Sequence, residues 1–169
     1  VVLTHRLGPR VFAYGFRLLG DRTEAEDVAQ EAMLRLWKTA PDWRPGEAKI
    51  TTWLFRVVSN LCIDRKRRYR NRPVSLEVGA DPPDGADSVD ETLQQKARSE
   101  ALQAALLYLP DRQRQAVILR NIEDLANPEI ASIMGISVEA VESLTARGKR
   151  ALSKILNDQR DALGFENDR

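Results

Sequence analysis

Residues 73–92 contain no lysine or arginine, and they carry six acids: Glu77, Asp81, Asp84, Asp87, Asp90 and Glu91. Pro73, Pro82, Pro83, Gly79 and Gly85 fall in the same stretch. A segment with so few large apolar side chains buries too little surface to offset the entropy of ordering it. It reads as a flexible acidic linker, and that divides the chain of 169 residues. The expected organisation is an N-terminal domain over 1–72, the linker over 73–92, a C-terminal domain over 93–157 and a polar tail over 158–169. Fully extended, the linker spans at most ~66 Å. That lets two domains sit about two turns apart on a DNA duplex, a turn being ~34 Å.

The division also makes sense of the charge. The net charge of +1 is uninformative until it is mapped. Residues 1–72 hold 15 Lys/Arg and 8 Asp/Glu, while residues 93–169 hold 11 of each. The N-terminal domain is therefore basic, and it carries eight of the ten aromatic residues. One cysteine, Cys62, excludes an intramolecular disulfide framework. With one histidine, His5, a zinc site built from Cys and His is not expected, and neither is any other metal or cofactor. The absence of a run of about 18 apolar residues, or of a charged-then-apolar leader, points to a cytoplasmic protein without membrane insertion.

Both domains read as helical, and strand-like alternation is absent, so the expected class is all-α. Phe12, Phe16 and Leu19 recur at helical steps. Thr23-Glu24-Ala25-Glu26 fits a capping box with Thr23 at the N-cap. Pro41 and Pro45 end the next helix, which leaves a loop before a third helix near Thr51. The core stripe of that third helix is Leu54, Val57, Val58 and Leu61. In the second domain, helices are predicted over 93–109 and 111–121. Two short ones come after them, capped by Asn127 with Pro128 and by Ser137.

Residues 127–146 fit a helix-turn-helix. Ala131 is the small residue where the helices cross. Gly135, four residues later, supplies a positive φ for the turn. Val141, six further on, anchors the second helix. Its outward residues are then Glu139, Glu142, Ser143, Ala146 and Arg147, followed by Lys149 and Arg150. A recognition helix sets its early exposed residues against base edges and its basic end near phosphates. The alternative is a plain helical hairpin within a core.

The third helix ends in a basic run, with six Lys/Arg among residues 65–72. Trp53, Arg56, Asn60, Asp64 and Arg67 lie opposite its core stripe. Cations track phosphates, amides read base edges and aromatic faces stack on unpaired bases. The pattern suits single-stranded DNA; the bland alternative is a solvated helix end. Trp53 fits base stacking and core packing equally. Cys62 reads as a buried small hydrophobe rather than a reactive thiol.

On the second helix Asp27, Gln30 and Glu31 project together, with Leu34 and Trp37 further along that side. Such a face repels phosphate and suits a basic partner protein. Solvated acids near a helix N-terminus, favoured by the macrodipole, are the structural alternative.

These stretches, in this order, resemble a bacterial sigma factor of the extracytoplasmic-function type. The segment from Ala25 to Glu31, with Leu34-Arg35-Leu36-Trp37, is similar to that family's helix for core RNA polymerase. Thr52-Trp53-Leu54-Phe55-Arg56-Val57-Val58-Ser59-Asn60, on through Asp64-Arg65, resembles its minus-ten helix. Leu109-Pro110-Asp111-Arg112-Gln113-Arg114-Gln115 and Glu129-Ile130-Ala131 through Lys149-Arg150 resemble its fourth conserved region, which reads the minus-thirty-five element. The resemblance covers residues 3–72 and 93–156. It implies that Asp27, Gln30, Glu31, Leu34 and Trp37 meet core polymerase (its β′ and β subunits), the first three on the β′ clamp helices. It implies that the loop 41–49 and the face with Trp53, Arg56 and Asn60 capture a flipped minus-ten base, and that Arg65, Lys66 and Arg67 hold phosphates. Glu142, Ser143, Arg147, Lys149 and Arg150 would meet the upstream element. An anti-sigma factor is the further implied partner. The run 141–150 looks most like the branch whose anti-sigma joins a zinc-binding helical domain to a cupin.

Three positions depart from that pattern. Glu142 and Leu144 stand where basic residues are usual, and Gly148 replaces a usual alanine. A carboxylate at Glu142 accepts a hydrogen bond from cytosine N4. Gly148 is expected to weaken its helix by up to ~1 kcal/mol. Two rival classes stay in view. A free-standing helix-turn-helix regulator would need a signal-sensing constellation in the first domain, and none is evident. An enzyme such as a nuclease would need clustered carboxylates or a positioned base, and the acids lie in the linker, at caps or scattered.

Overall fold

The computed structural model describes residues 2–42, 49–70 and 91–162; the expected linker therefore lies outside the described residues except for its last two. The order is α1 (Val2–Leu19), α2 (Arg22–Thr39), a 3-10 turn (Ala40–Asp42), α3 (Ile50–Arg70), α4 (Glu91–Leu107), α5 (Asp111–Val117), a π-helical turn (Ile118–Ile122), α6 (Asn127–Met134) and α7 (Val138–Ala162). No strand occurs among the described residues, as the all-α expectation required.

In the N-terminal half α1 buries Leu7, Val11, Tyr14 and Leu18, one stripe at steps of three and four. α2 lays Ala25, Val28, Ala29, Ala32 and Leu36 against it, and α3 completes the bundle with Leu54, Phe55, Val58 and Cys62. The small residues on α2 let its backbone approach closely. The Tyr14 ring meets Phe55 edge-on at 4.9 Å between centroids. Ser59 Oγ donates to Phe55 O (2.6 Å), so Tyr14 is the donor in its 2.7 Å bond to Ser59. That buried hydroxyl pair is thereby satisfied, and burial pushes the Tyr14 pKa up.

Asp21, not Thr23, is the N-cap of α2: its carboxylate accepts from Glu24 N at 3.0 Å. The cap falls two residues before the expected one because Gly20, at φ +71°, ends α1 and delivers Asp21 to that position. Asn127 is likewise not the cap of α6. That position is Ala126, and Asn127 Oδ1 is buried without a hydrogen-bond partner. Ser137 does cap α7, accepting from Ala140 N at 3.1 Å. α7 is long rather than short and continues through the start of the expected polar tail to Ala162.

The two halves share one continuous core. Its seam is held by a buried arginine. Arg114, 5% exposed, donates from Nε to Leu106 O and from Nη2 to Leu107 O and Leu109 O, capping the end of α4. Its Nη1 crosses the seam to Leu18 O at 2.9 Å, where α1 ends. Burial lowers its pKa, opposed by Asp111. Carbonyls at helix C-termini lack intrahelical partners, so one guanidinium satisfies acceptors of both halves.

Candidate nucleic-acid interface

α6, the turn at Gly135 and α7 form the expected helix-turn-helix. Gly135 sits at φ 66°, ψ 37°, and its N–H closes on Ala131 O. Ile130 and Val141 are fully buried, and Ala131 and Ile133 lie in the same core. Glu139, Glu142, Ser143, Ala146, Arg147, Lys149 and Arg150 are all exposed. The face expected to meet duplex is therefore continuous and open, with its cations toward the C-terminal end.

Gly148 has a packing role that the sequence did not show. A Cβ there would lie 2.4 Å from Val117 Cγ2 and 3.2 Å from Gln113 O. The glycine permits α5 to cross α7 at close range, a packing gain that stands against the propensity it costs the helix.

On α3, Arg56, Asn60, Asp64 and Arg67 are exposed along one line, while Trp53 is half-buried and packed on the core. Several cations of this face are already engaged. Arg56 Nη2 donates to Ser132 O (2.9 Å) and Ser132 Oγ (2.6 Å) on α6. Lys66 Nζ lies 2.7 Å from Asp111 Oδ1. Arg65 is bound by Glu24, with Asp27 3.7 Å away. The Glu24 hydrogen bond is the main reason the Arg65 pKa is raised. The expected phosphate set thus splits: Arg67 faces solvent, Arg65 turns back onto α2 and Lys66 reaches α5. Of the loop 41–49, residues 43–48 lie outside the described residues.

On α2, Asp27, Gln30, Leu34 and Trp37 are exposed on one side with half-buried Glu31, which pairs with Arg35 at 3.1 Å. Leu34 is 57% and Trp37 56% exposed. Two large apolar side chains thus stand open beside carboxylates on this face.

Sequence reasoning missed Arg10 and Glu123. Arg10 Nε donates to Glu123 Oε2 at 2.7 Å while its guanidinium stands 5.0 Å over the Phe55 ring. Arg17 lies 3.8 Å from the same carboxylate, whose side chain is only 6% exposed. No sequence signal links residues 113 positions apart in this way.

Among the described residues no group of histidine, cysteine and acidic side chains could hold a metal ion. Cys62 is buried, and burial pushes its thiol up to about 12. No described helix is long and apolar enough to cross a membrane.

Among the described residues, then, an all-helical fold pairs a helix-turn-helix with a basic helix bearing an exposed Arg/Asn line. The sigma-70 region 2 family model matches residues 3–72, and the sigma-70 region 4 model matches 99–152. SigW of Bacillus subtilis, an extracytoplasmic-function RNA polymerase sigma factor, is 32% identical over 88% of this chain and 84% of its own length. SigE of Mycolicibacterium smegmatis is 34% identical over 91% of this chain. The chain spans 60% of that relative's length. The chain belongs to the extracytoplasmic-function sigma factors, which are initiation factors and not enzymes. Its fold matches RpoE from Bartonella quintana, solved in complex with the anti-sigma factor NepR, with a TM-score of 0.73 and 22% identity over 91% of this chain and 94% of that one. CnrH, solved with the cytosolic domain of CnrY, gives 0.65 and 25% over 92% and 86%.

Proposed function

We propose that this chain directs core RNA polymerase to a specific set of promoters and helps to open them. The observation that carries the reading is the pairing, in one chain, of an open recognition face on α7 with the exposed Leu34/Trp37 face on α2. A free-standing regulator uses the first and has no need of the second. Asp27, Gln30, Glu31, Leu34 and Trp37 dock on the polymerase β′ subunit, with β as the further contact of the assembly. Trp53, Arg56 and Asn60 hold an extruded minus-ten base, and Arg67, with Arg65 and Lys66 once these two leave their intramolecular partners, lines the phosphates. Trapping an extruded base stabilises opened strands without any bond chemistry. Glu142, Ser143, Arg147, Lys149 and Arg150 read the minus-thirty-five element, and residues 73–92 link the two readers.

An anti-sigma factor that covers the α2 face or the α3 face completes the reading, and it acts in the cytoplasm. Support comes from family membership and from the complex with NepR in a protein of the same fold. The run 141–150 favours a zinc-binding anti-sigma fused to a cupin. In vitro transcription from a random promoter pool, with core polymerase and with or without this protein, tests the whole. Protein-dependent initiation with two enriched motifs at fixed spacing is expected. Tight duplex binding by the protein alone, without initiation, would favour the regulator. Glu142→Gln should relax the preference at one upstream base pair, a change worth about 1–3 kcal/mol of discrimination. An unchanged motif would remove that role.

A further inference from the structure

Beside the basic end of α3, where α1 and α5 meet it, lies an open cavity of about 260 Å³. Its floor is buried and mostly apolar. Leu18 comes from α1 and Cys62 from α3, and Ile63 forms an apolar lip that is 46% exposed. The polar groups of the floor, Ser59 and Gln115, are both engaged with the Tyr14 hydroxyl. The Cys62 thiol keeps its proton, because burial pushes its pKa up to about 12, so the floor carries no charge.

The rim is cationic. Lys66, Arg67 and Arg112 stand there against one acid, Asp111. That acid is already neutralised, lying 2.7 Å from Lys66 Nζ and 3.4 Å from Arg114 Nη1. Arg67 and Arg112 are exposed, and neither has a hydrogen-bond or ion-pair partner among the described residues. Two open guanidinium forks therefore stand over an uncharged hollow. Such forks match carboxylates bidentately. A bare anion would leave the floor wet, and an uncharged apolar molecule would leave the forks unused. Pockets for drug-sized molecules measure roughly 300–1,000 Å³, so this cavity suits a smaller body.

We propose that this cavity is a binding site for a small amphipathic carboxylate, its chain on Leu18, Cys62 and Ile63 and its head on Arg67 and Arg112. The site itself stands without the sigma reading. One consequence rests on that reading: Arg67 also belongs to the proposed phosphate set of the minus-ten face, so the ligand and single-stranded DNA compete for it. Occupancy of the cavity then couples promoter opening to the level of a small organic acid.

Titration calorimetry on the full chain tests the site, with octanoate as the probe. One saturable site per chain is expected. Octan-1-ol keeps the chain and loses the charge, and inorganic phosphate keeps charge and loses the chain; each should bind at least about tenfold more weakly. Arg112→Gln removes one fork at an exposed position and should weaken octanoate about tenfold, while Arg112→Lys should cost less. Ile63→Glu sets a carboxylate on the lip and should abolish binding. Arg98→Gln makes the same charge change at an exposed α4 position that does not line the cavity, and should leave the affinity within about twofold. No octanoate binding, equal affinity for octan-1-ol or phosphate, or an equal loss in Arg98→Gln would overturn the proposal. Competition is read from the anisotropy of a fluorescent random-sequence single-stranded oligonucleotide. Saturating octanoate should weaken its binding by about threefold or more, and an unchanged affinity would overturn the shared use of Arg67. Transcription with core polymerase separates the two readings. If the chain drives none, the sigma reading fails and the calorimetry still decides the site; if it drives initiation while octanoate does not bind, only the carboxylate site fails.

Discussion

Cys62 shows how a residue's chemistry is set by its neighbours. It lies on the buried side of α3, and loss of hydration pushes its thiol from 9.0 to about 12, with Lys66 and Arg65 pulling weakly the other way. The folded state therefore keeps its proton where the unfolded chain would lose one. The Cys62 contribution to stability is fully present below pH 9 and is lost as pH rises from 9 toward 12. Iodoacetamide at pH 8 should modify the denatured chain quickly and the native chain at least a hundredfold more slowly. Comparable rates would mean that the thiol is not sequestered. The same single atom excludes a disulfide within the chain.

The helices were legible because their signals are local. Apolar spacing in α1, α2 and α3, and Ala131, Gly135 and Val141 in the helix-turn-helix, depend on residues within two turns of one another. Caps were less legible, since Asp21 and Thr23 are both good candidates and the choice between them hangs on Gly20. The expected single helix over 111–121 gives way at Ile118 to a π-helical turn. A wide turn of this kind shifts the helical phase of the residues beyond it. It ends at Ile122, next to Glu123, which reaches Arg10 and Arg17 across the seam. Gly148 could not be understood without its partner helix. Gly148→Ala gains helix propensity yet places a methyl against Val117 and the Gln113 carbonyl. Overpacking of that kind typically costs about 1–3 kcal/mol, so a net loss of about 1–2 kcal/mol is expected in urea denaturation. A gain in stability would show that α5 and α7 are free to separate.

At the scale of the molecule, the candidate faces were readable and their present partners were not. Asp27, Gln30, Leu34 and Trp37 could be placed on one side of α2 from spacing alone. That Arg65 would turn onto Glu24, or Arg56 onto Ser132, depends on contacts between residues distant in the chain. Trp37 is the simplest probe of the α2 face, because its side chain is 56% exposed. Trp37→Ala should leave the urea midpoint within about 0.5 kcal/mol of the parent. It should weaken binding to core polymerase by roughly thirtyfold or more, the loss expected of an aromatic anchor at about 2 kcal/mol. Unchanged affinity would place the polymerase contact elsewhere.

The start of α4 has a different kind of meaning. Residues 93–100 are exposed on every side, so these two turns rest on nothing but their own hydrogen bonds. Short helical segments without tertiary packing are marginal in water. Eight residues rise about 12 Å as helix and reach about 26 Å when drawn straight. These turns are a coil of spare rope at the mooring of the second domain. Unwinding them adds about 14 Å of reach ahead of the packed part of α4 with little loss of stability, and under the proposed function that reach would let one protein serve promoters whose two elements are not always the same distance apart.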